Sequence, residues 1–556
     1  MECVRISGFS VLVLVTIIAG RLAAAESAGQ ADLDKATELK VTAESVGDLE
    51  KVAQLCESAL RKGLDEGNQK FAKQLLASTL YQHADRLSAP IFGQGTPDRR
   101  MLLLWNYALK DLERAIEVTP QFGEAHLLIA RLHALPGGDP QRAEKAANAA
   151  VSLFEKEPAN LAAALVVRAQ FREEAAERLK DYDKAIELDP ANADAWQARA
   201  ATYMEEGKFD KAVADLKTLI KRNEKNVSAH FALGEALLNM EKYDEALQQI
   251  DAGIKLKPDA PLGYTLRARV HLAKLKDDDK AATDAAIRTA LEDLNKALKV
   301  EPRDIRALLI RASLLQEQGK LQAARDDIER VLILRPGLVQ AILARSRLAA
   351  SEGKLSDAIA DMKSVLENDP ENVQWRLMLA GYYIQDKRPS KAIDIFTKIL
   401  AGDEDNSAAR QARADTFLSI GKHADAIADF EIALKQEPNN DGILNNFAWV
   451  LATSPDDKLR NGKRAIELAT KACEVTKYKK AHILSTLAAA FAETGDFQTA
   501  QKWSRQAVEL GAAKKDVDEQ LKQELESYKK SKPWREKQTI EEKADPVQER
   551  RSSFEA

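Results

Sequence analysis

From residue 190 to residue 440, small, large and helix-ending residues recur in a fixed order. Alanine stands at Ala212, Ala246, Ala290, Ala324, Ala358, Ala392 and Ala426, and twelve positions beyond each comes Glu224, Pro258, Pro302, Pro336, Pro370, Glu404 or Pro438. A second series of small residues runs Ala200, Gly234, Ala268, Ala312, Ser346, Ala380 and Ala414. The interval is 34 residues, broken once by a ten-residue insertion carrying Asp277-Asp278-Asp279. Large residues keep the same phase: Tyr203, Leu237, Leu315, Tyr383 and Phe417 in one half of the unit, and Leu216, Ile250, Leu294, Ile328, Met362, Phe396 and Phe430 in the other. This pattern predicts two helices per unit. Small residues on facing sides let the backbones approach, and large ones fill the space around them. Gly207, Gly319, Gly353, Gly421 and Gly495 follow the first helix, where a left-handed cap favours glycine. Proline ends the second, because it lacks a donor and disfavours helix at the residue before it.

The unit Trp196, Ala200, Tyr203, Gly207, Ala212, Leu216, Glu224 carries the pattern almost whole. In spacing and residue type it resembles the tetratricopeptide repeat. The resemblance covers most of the chain and implies an all-α fold, an α-solenoid coiled as a right-handed superhelix of about twelve antiparallel helix pairs. Pro120 and Pro158 continue the series upstream with irregular spacing, and Leu49–Lys62 reads as an additional amino-terminal helix. Downstream, a stretched unit surrounds the loop Ser454–Lys463. The expected organisation is a signal segment over 1–25, amino-terminal helices with a divergent first repeat over 26–120, the array over 121–512, a capping helix over 513–530 and a flexible charged tail over 531–556. Trp534 is expected to dock on the last repeat, because the end of a solenoid must cover its apolar face, with a linear motif as the other reading.

Several units depart from the family in one way. Arg168, Arg199, Arg267, Arg311, Arg345 and Arg413 precede the small residue of the first helix, where the family usually carries leucine. The second helices of those units hold Asp181, Asp215, Asp293, Asp327, Asp361 and Asp429 at one fixed place. Where the arginine is replaced by Ile129, Leu233, Leu379, Phe447 or Leu487, that place holds Ala146, Gln249, Ile395, Ala469 or Trp503. The two types change together, which predicts an ion pair between the helices of each unit. A ladder of ligand-binding arginines is the other reading. Asp111 lies outside the rule.

Composition adds limits. The 556 residues are 45% apolar and 30% charged, which suits long solvated helices, and the length exceeds what a single core supports. A formal net charge of −5 provides no global field for nucleic acid, so none is expected as a partner. Arg5, the apolar run Val11–Ala19 and Ala23-Ala24-Ala25 read as an export signal cleaved near Ala25, giving a periplasmic or secreted protein; an uncleaved membrane anchor is the alternative. Cys56 and Cys473 sit too far apart in the array to pair. The seven histidines lack the clustered partners of a metal site, and no phosphate loop or nucleophile elbow occurs. No catalytic role, cofactor or metal is expected.

The family resemblance implies that first helices line a concave face and turn Gln197, Phe231, Glu235, Arg269, Leu309, Arg347, Leu377, Gln411, Asp415, Asn445 and Trp449 toward a ligand. That mixture suits an extended peptide or a protein surface. Trp449 is the candidate anchor, and is equally readable as a core ring of the stretched unit. The expected function is a protein-interaction scaffold of the cell envelope. The alternative is an accessory subunit presenting substrates to a cell-wall or glycan-modifying enzyme.

Overall fold

The computed structural model describes residues 28–92, 99–275, 280–513, 519–536 and 542–543. The signal segment, the acidic run 277–279 and most of the charged tail lie outside them. Among the described residues there are 27 α-helices and no strand. They form antiparallel pairs from Gln30–Thr42 with Val46–Lys62 through Ala481–Glu493 with Phe497–Ala513, followed by a single closing helix, Glu519–Lys529. First helices pack on their own partners and, at many joints, on the next first helix, the order of a repeat array.

Local chemistry sets the ends of these helices. Second helices stop at Leu188, Leu256, Val300, Leu334, Asn368 and Gln436, in each case two residues ahead of the repeating proline. Pro120 follows its helix in the same way, whereas Pro158 opens Pro158–Ala169, its missing donor being harmless at a first turn. First helices open on a cap that the small–large pattern does not reveal. Asn192, Asn226, Asp304, Asn372, Asn406 and Asn440 each accept backbone hydrogen bonds from the turn that follows. The turn glycines adopt φ between 68° and 86°, and in two units that lack a glycine there Glu241 and Lys387 take φ of 58° and 57° instead.

The two small-residue series meet as expected. Ala212, Ala246, Ala290, Ala324, Ala358, Ala392 and Ala426 are fully buried. At Gly234 an added Cβ would lie 2.5 Å from the Ile250 side chain, so this crossing admits only hydrogen. Ser346 turns the same contact into a bond, its hydroxyl donating to the Ala358 carbonyl at 3.1 Å.

The chain divides into two compact units, residues 1–293 and 294–556. In the first, Leu76, Leu80, Leu112 and Leu132 centre one apolar cluster, and Leu216, Leu233, Leu237, Ile250 and Leu266 another. In the second, Met362, Tyr383 and Phe396 belong to one cluster, while Phe430, Leu444, Phe447 and Leu487 belong to a larger one reaching the closing helix. Each such leucine or phenylalanine contributes roughly 1.5–3 kcal/mol by leaving water. The pair count exceeds the expected twelve because Gln30–Thr42 partners Val46–Lys62. That short helix buries only Leu33 and Ala36, too sparse a pattern to stand out in sequence.

Candidate functional site

Charged side chains on the first helices fall into two sets. Six arginines face inward along the pair. Arg168, Arg199, Arg267, Arg311, Arg345 and Arg413 each donate Nε and Nη2 to both oxygens of the expected aspartate, at 2.5–3.0 Å. The aspartates are buried, and the planar fork matches a carboxylate at both ends. Asp111 is met instead by His83 at 2.5 Å and by Arg114 of its own helix at 2.9 Å. In the arginine-free unit around Leu233, His230 bonds Gln249 at 3.0 Å.

A third contact of these arginines was not visible as a pattern. The Nη1 atoms reach back sixteen positions to the second helix of the preceding pair, meeting Asp183 at 2.6 Å, Asp251 at 2.7 Å, Asn295 at 2.7 Å and Thr397 at 3.0 Å. Arg345 Nη1 lies 3.8 Å from Glu329 in the same place. Each of these guanidinium groups thus spans three helices. The carboxylates hold Arg199 and Arg267 well above the usual guanidinium range, with the hydrogen bonds to Asp215 and Asp293 the largest cause. Every guanidinium in this set has its fork committed to protein, so the set builds the scaffold.

The expected groove residues divide differently. Gln197 and Arg347 are exposed, while Leu309 and Leu377 are half-buried. Phe231 is 4% exposed, and its ring fills the space over Gly253 and Gly263, where an added Cβ would come within 2.4 and 2.7 Å of it. That ring is packing between pairs and presents no open surface. Glu235 and Arg269, on successive first helices of the first unit, neutralise each other at 2.6 Å.

In the second unit the corresponding positions form a network of amides around one carboxylate. Asn446 Nδ2 donates to Asp415 Oδ1 at 2.7 Å, Asn445 Nδ2 donates to Asn446 Oδ1 at 2.9 Å, and Asn440 Nδ2 donates to Gln411 Oε1 at 3.3 Å. Burial pushes the Asp415 carboxyl up, against hydrogen bonds from Asn446 and Gln411 that favour its charge. Asn445 is 9% exposed, and its Oδ1 has no hydrogen-bond partner among the described residues. Asn446, which completes the network, was missing from the sequence-based set; its signal was the adjacent asparagine pair on one turn. Trp449, one turn past Asn445, is half-buried against the cluster of Phe447 and Leu487.

Elsewhere the chemistry is quiet. Burial pushes the Cys56 and Cys473 thiols up to about 12, which suppresses the thiolate needed for reaction. Among the described residues no helix is long and apolar enough to cross a membrane.

Comparison with known proteins agrees with this architecture. Models of the tetratricopeptide repeat match residues 181–214, 203–270, 287–338 and 349–416. The small glutamine-rich tetratricopeptide repeat-containing protein 2 of Mycosarcoma maydis is 34% identical over 80 residues, 14% of this chain and 23% of its own length. The TPR repeat-containing protein MJ1428 of Methanocaldococcus jannaschii is 34% identical over 96 residues, 17% of this chain and 15% of its own. The chain therefore spans less than a quarter of either relative. Among solved structures, yeast Tom70 aligns with 82% of this chain and 96% of its own at 14% identity and a TM-score of 0.37. A thermophilic TPR protein of Thermus thermophilus aligns with 34% of this chain and 99% of its own at 20% identity and a TM-score of 0.31. Proteins of this repeat class generally bind other proteins or peptides, and the fold supports an interaction scaffold. With repeat models matched over residues 181–270, 287–338 and 349–416 and its helix pairs in repeat order, the chain is a tetratricopeptide-repeat protein over those residues.

Proposed function

We propose that this chain is an exported scaffold of the cell envelope that holds an extended peptide or a protein surface along the first helices of its second unit. The observation that carries the reading is Asp415, a carboxylate on a first helix whose described partners are the amides of Asn446 and Gln411. A half-buried carboxylate framed by neutral groups favours a ligand that brings a lysine or arginine, since the arriving cation offsets the cost of burial. Trp449, one turn away, offers a large amphipathic ring beside that charge. The export part of the reading rests on the charge, apolar run and small residues of positions 1–25.

The test is affinity capture from an envelope fraction with the full chain, its Asp415→Lys variant and its Gln197→Lys variant. A basic partner is expected to be recovered by the parent and by Gln197→Lys, and to be reduced at least about tenfold by Asp415→Lys, the scale of a charge reversal in an interface. Recovery that is unchanged by Asp415→Lys, or nothing above background after gentle crosslinking, refutes the assignment.

A further inference from the structure

After the closing helix the chain makes contacts beyond the expected docking of Trp534. Glu519–Lys529 stacks on Phe497–Ala513 with Tyr528 fully buried, and Gln501 donates to the Tyr528 carbonyl at 3.1 Å. From Lys532 the chain is no longer helical and crosses back to earlier pairs. Trp534 packs on the cluster of Phe447 and Leu487. Arg535 lies 2.7 Å from Glu493 and donates to the Ala452 carbonyl at 3.3 Å, and the Glu536 amide donates to the Thr453 carbonyl at 2.9 Å. Further back again, Ser390 donates its amide and hydroxyl to Glu542 at 3.1 and 2.8 Å, and the Lys543 amide donates to the Lys387 carbonyl at 2.8 Å.

These contacts have the form of an extended ligand on a receptor. The last turn of any helix leaves carbonyls without intrahelical donors, and Asp441–Thr453 presents such a turn to this segment. Residues 535 and 536 supply donors to the last turn of Asp441–Thr453, and Lys543 to the Lys387 carbonyl in the turn after Val373–Gln385. The match is incomplete at one point. Glu536 enters a cleft of about 390 Å³ lined by His423, Asp425, Pro455 and Asp456, among others. There its Oε2 has no hydrogen bond among the described residues, and the His423 ring is 3.7 Å away. A buried carboxylate oxygen left without a hydrogen bond opposes docking, so this segment is held less tightly than its contact area allows. It also lies against Trp449, the ring at the end of the amide network.

We propose that residues 534–536 are a tethered competitor on a peptide-docking edge, and that a partner's extended segment takes the same seats by presenting an aromatic ring followed by a guanidinium. This deepens the proposed function and rests on it, because it names the chemistry of the partner and a device that restricts access to Trp449. The Trp seat is the apolar cluster, the Arg seat is Glu493 with the Ala452 carbonyl, and the following residue bonds Thr453 through its amide. An incoming segment with a neutral polar residue in place of Glu536 displaces the tethered one, since it avoids burying a carboxylate oxygen that has no hydrogen bond.

The probe is a fluorescent synthetic peptide with the sequence of residues 530–543, followed by anisotropy with full-length protein. The parent chain is expected to bind it at least tenfold more weakly than full-length Arg535→Glu or Trp534→Ala, whose own segment is released. Adding Glu493→Ala to Arg535→Glu removes the gain, and the same peptide carrying Gln in place of Glu536 binds every chain more tightly. Helical circular dichroism unchanged between parent and variants establishes that the array is intact. Equal binding by parent and released variants, or no binding by released variants that remain folded, overturns the competitor. Peptide binding together with failed capture from the envelope leaves the competitor standing and removes the proposed function instead.

Discussion

Two stretches of first-helix surface treat charge in opposite ways. In the first unit Glu235 and Arg269 close on each other at 2.6 Å, so that surface is already neutral. In the second, Asp415 is met by the amides of Gln411 and Asn446, and its charge is left for something else to satisfy. Beneath both runs the same inward set of arginine–aspartate bonds. The contrast teaches that an array assembled from one scaffold can hold its framework charges constant while individual pairs are tuned for solvent or for a ligand. Position within the repeat alone does not identify a binding residue, because Glu235 and Asp415 come from one groove pattern.

The largest effect expected concerns the framework common to both stretches. Asp215→Ala in the first unit and Asp327→Ala in the second each strand an arginine between helices and lower local stability by about 3 kcal/mol. Amide hydrogen exchange of the affected pair measures it; losses below about 1 kcal/mol reduce these bonds to ordinary surface pairs. Next comes the acidity dependence of the docked segment. Burial raises Glu536 from 4.5 to about 7, so docking takes up a proton between those values. Its contribution is fully present below pH 4.5 and is lost as the pH rises through 7, by up to about tenfold per pH unit. Burial lowers His423, whose contribution runs the other way: it is fully present above pH 6.5 and is lost as the pH falls below that value. Exchange at the Glu536 amide between pH 5 and 8 follows the balance, and Glu536→Gln flattens the high-pH loss.

Smaller effects separate the two surfaces directly. Asp415 has its carboxyl raised by burial, so its deprotonated form opposes folding above the ordinary aspartate range; Asp415→Asn raises thermal stability at pH 7 and has less effect near pH 3. Glu235→Gln removes half of a partly exposed pair and lowers stability by at most about 1 kcal/mol. Opposite signs are the expected outcome, and equal signs erase the comparison. The smallest change lies outside both surfaces. Glu241 holds a left-handed backbone at φ 58°, so Glu241→Gly stabilises its pair by about 1 kcal/mol in a denaturant titration.

Much of this was legible before any coordinates. The spaced alanines and prolines foretold the helix pairs, and the joint change of Arg199 with Asp215 and of Leu233 with Gln249 foretold bonds within a pair. The third leg of the arginines escaped because its acceptors are chemically mixed: Asp251, Asn295 and Thr397 share an acceptor oxygen and nothing a pattern search detects. Phe231 was assigned to the groove by its phase, yet Gly253 and Gly263 open a cavity that draws the ring inward, and absent side chains are easily overlooked. Docking of Trp534 was expected, but the Arg535 and Glu536 contacts escaped for another reason. An extended segment has no helical period, and its partners sit far earlier in the chain, Arg535 and Ala452 being 83 positions apart.

The three-helix reach of the arginines also has a mechanical side. Arg199 and Arg267 in the first unit, and Arg311 and Arg413 in the second, rivet one hairpin to its predecessor. Ile129, Leu233, Leu379, Phe447 and Leu487 stand where such a rivet would sit. Pulled lengthwise, each unit parts first at those unriveted joints, in front of Gly123, Val227, Val373, Asp441 and Ala481, and the extension trace records rupture there before the riveted hairpins yield.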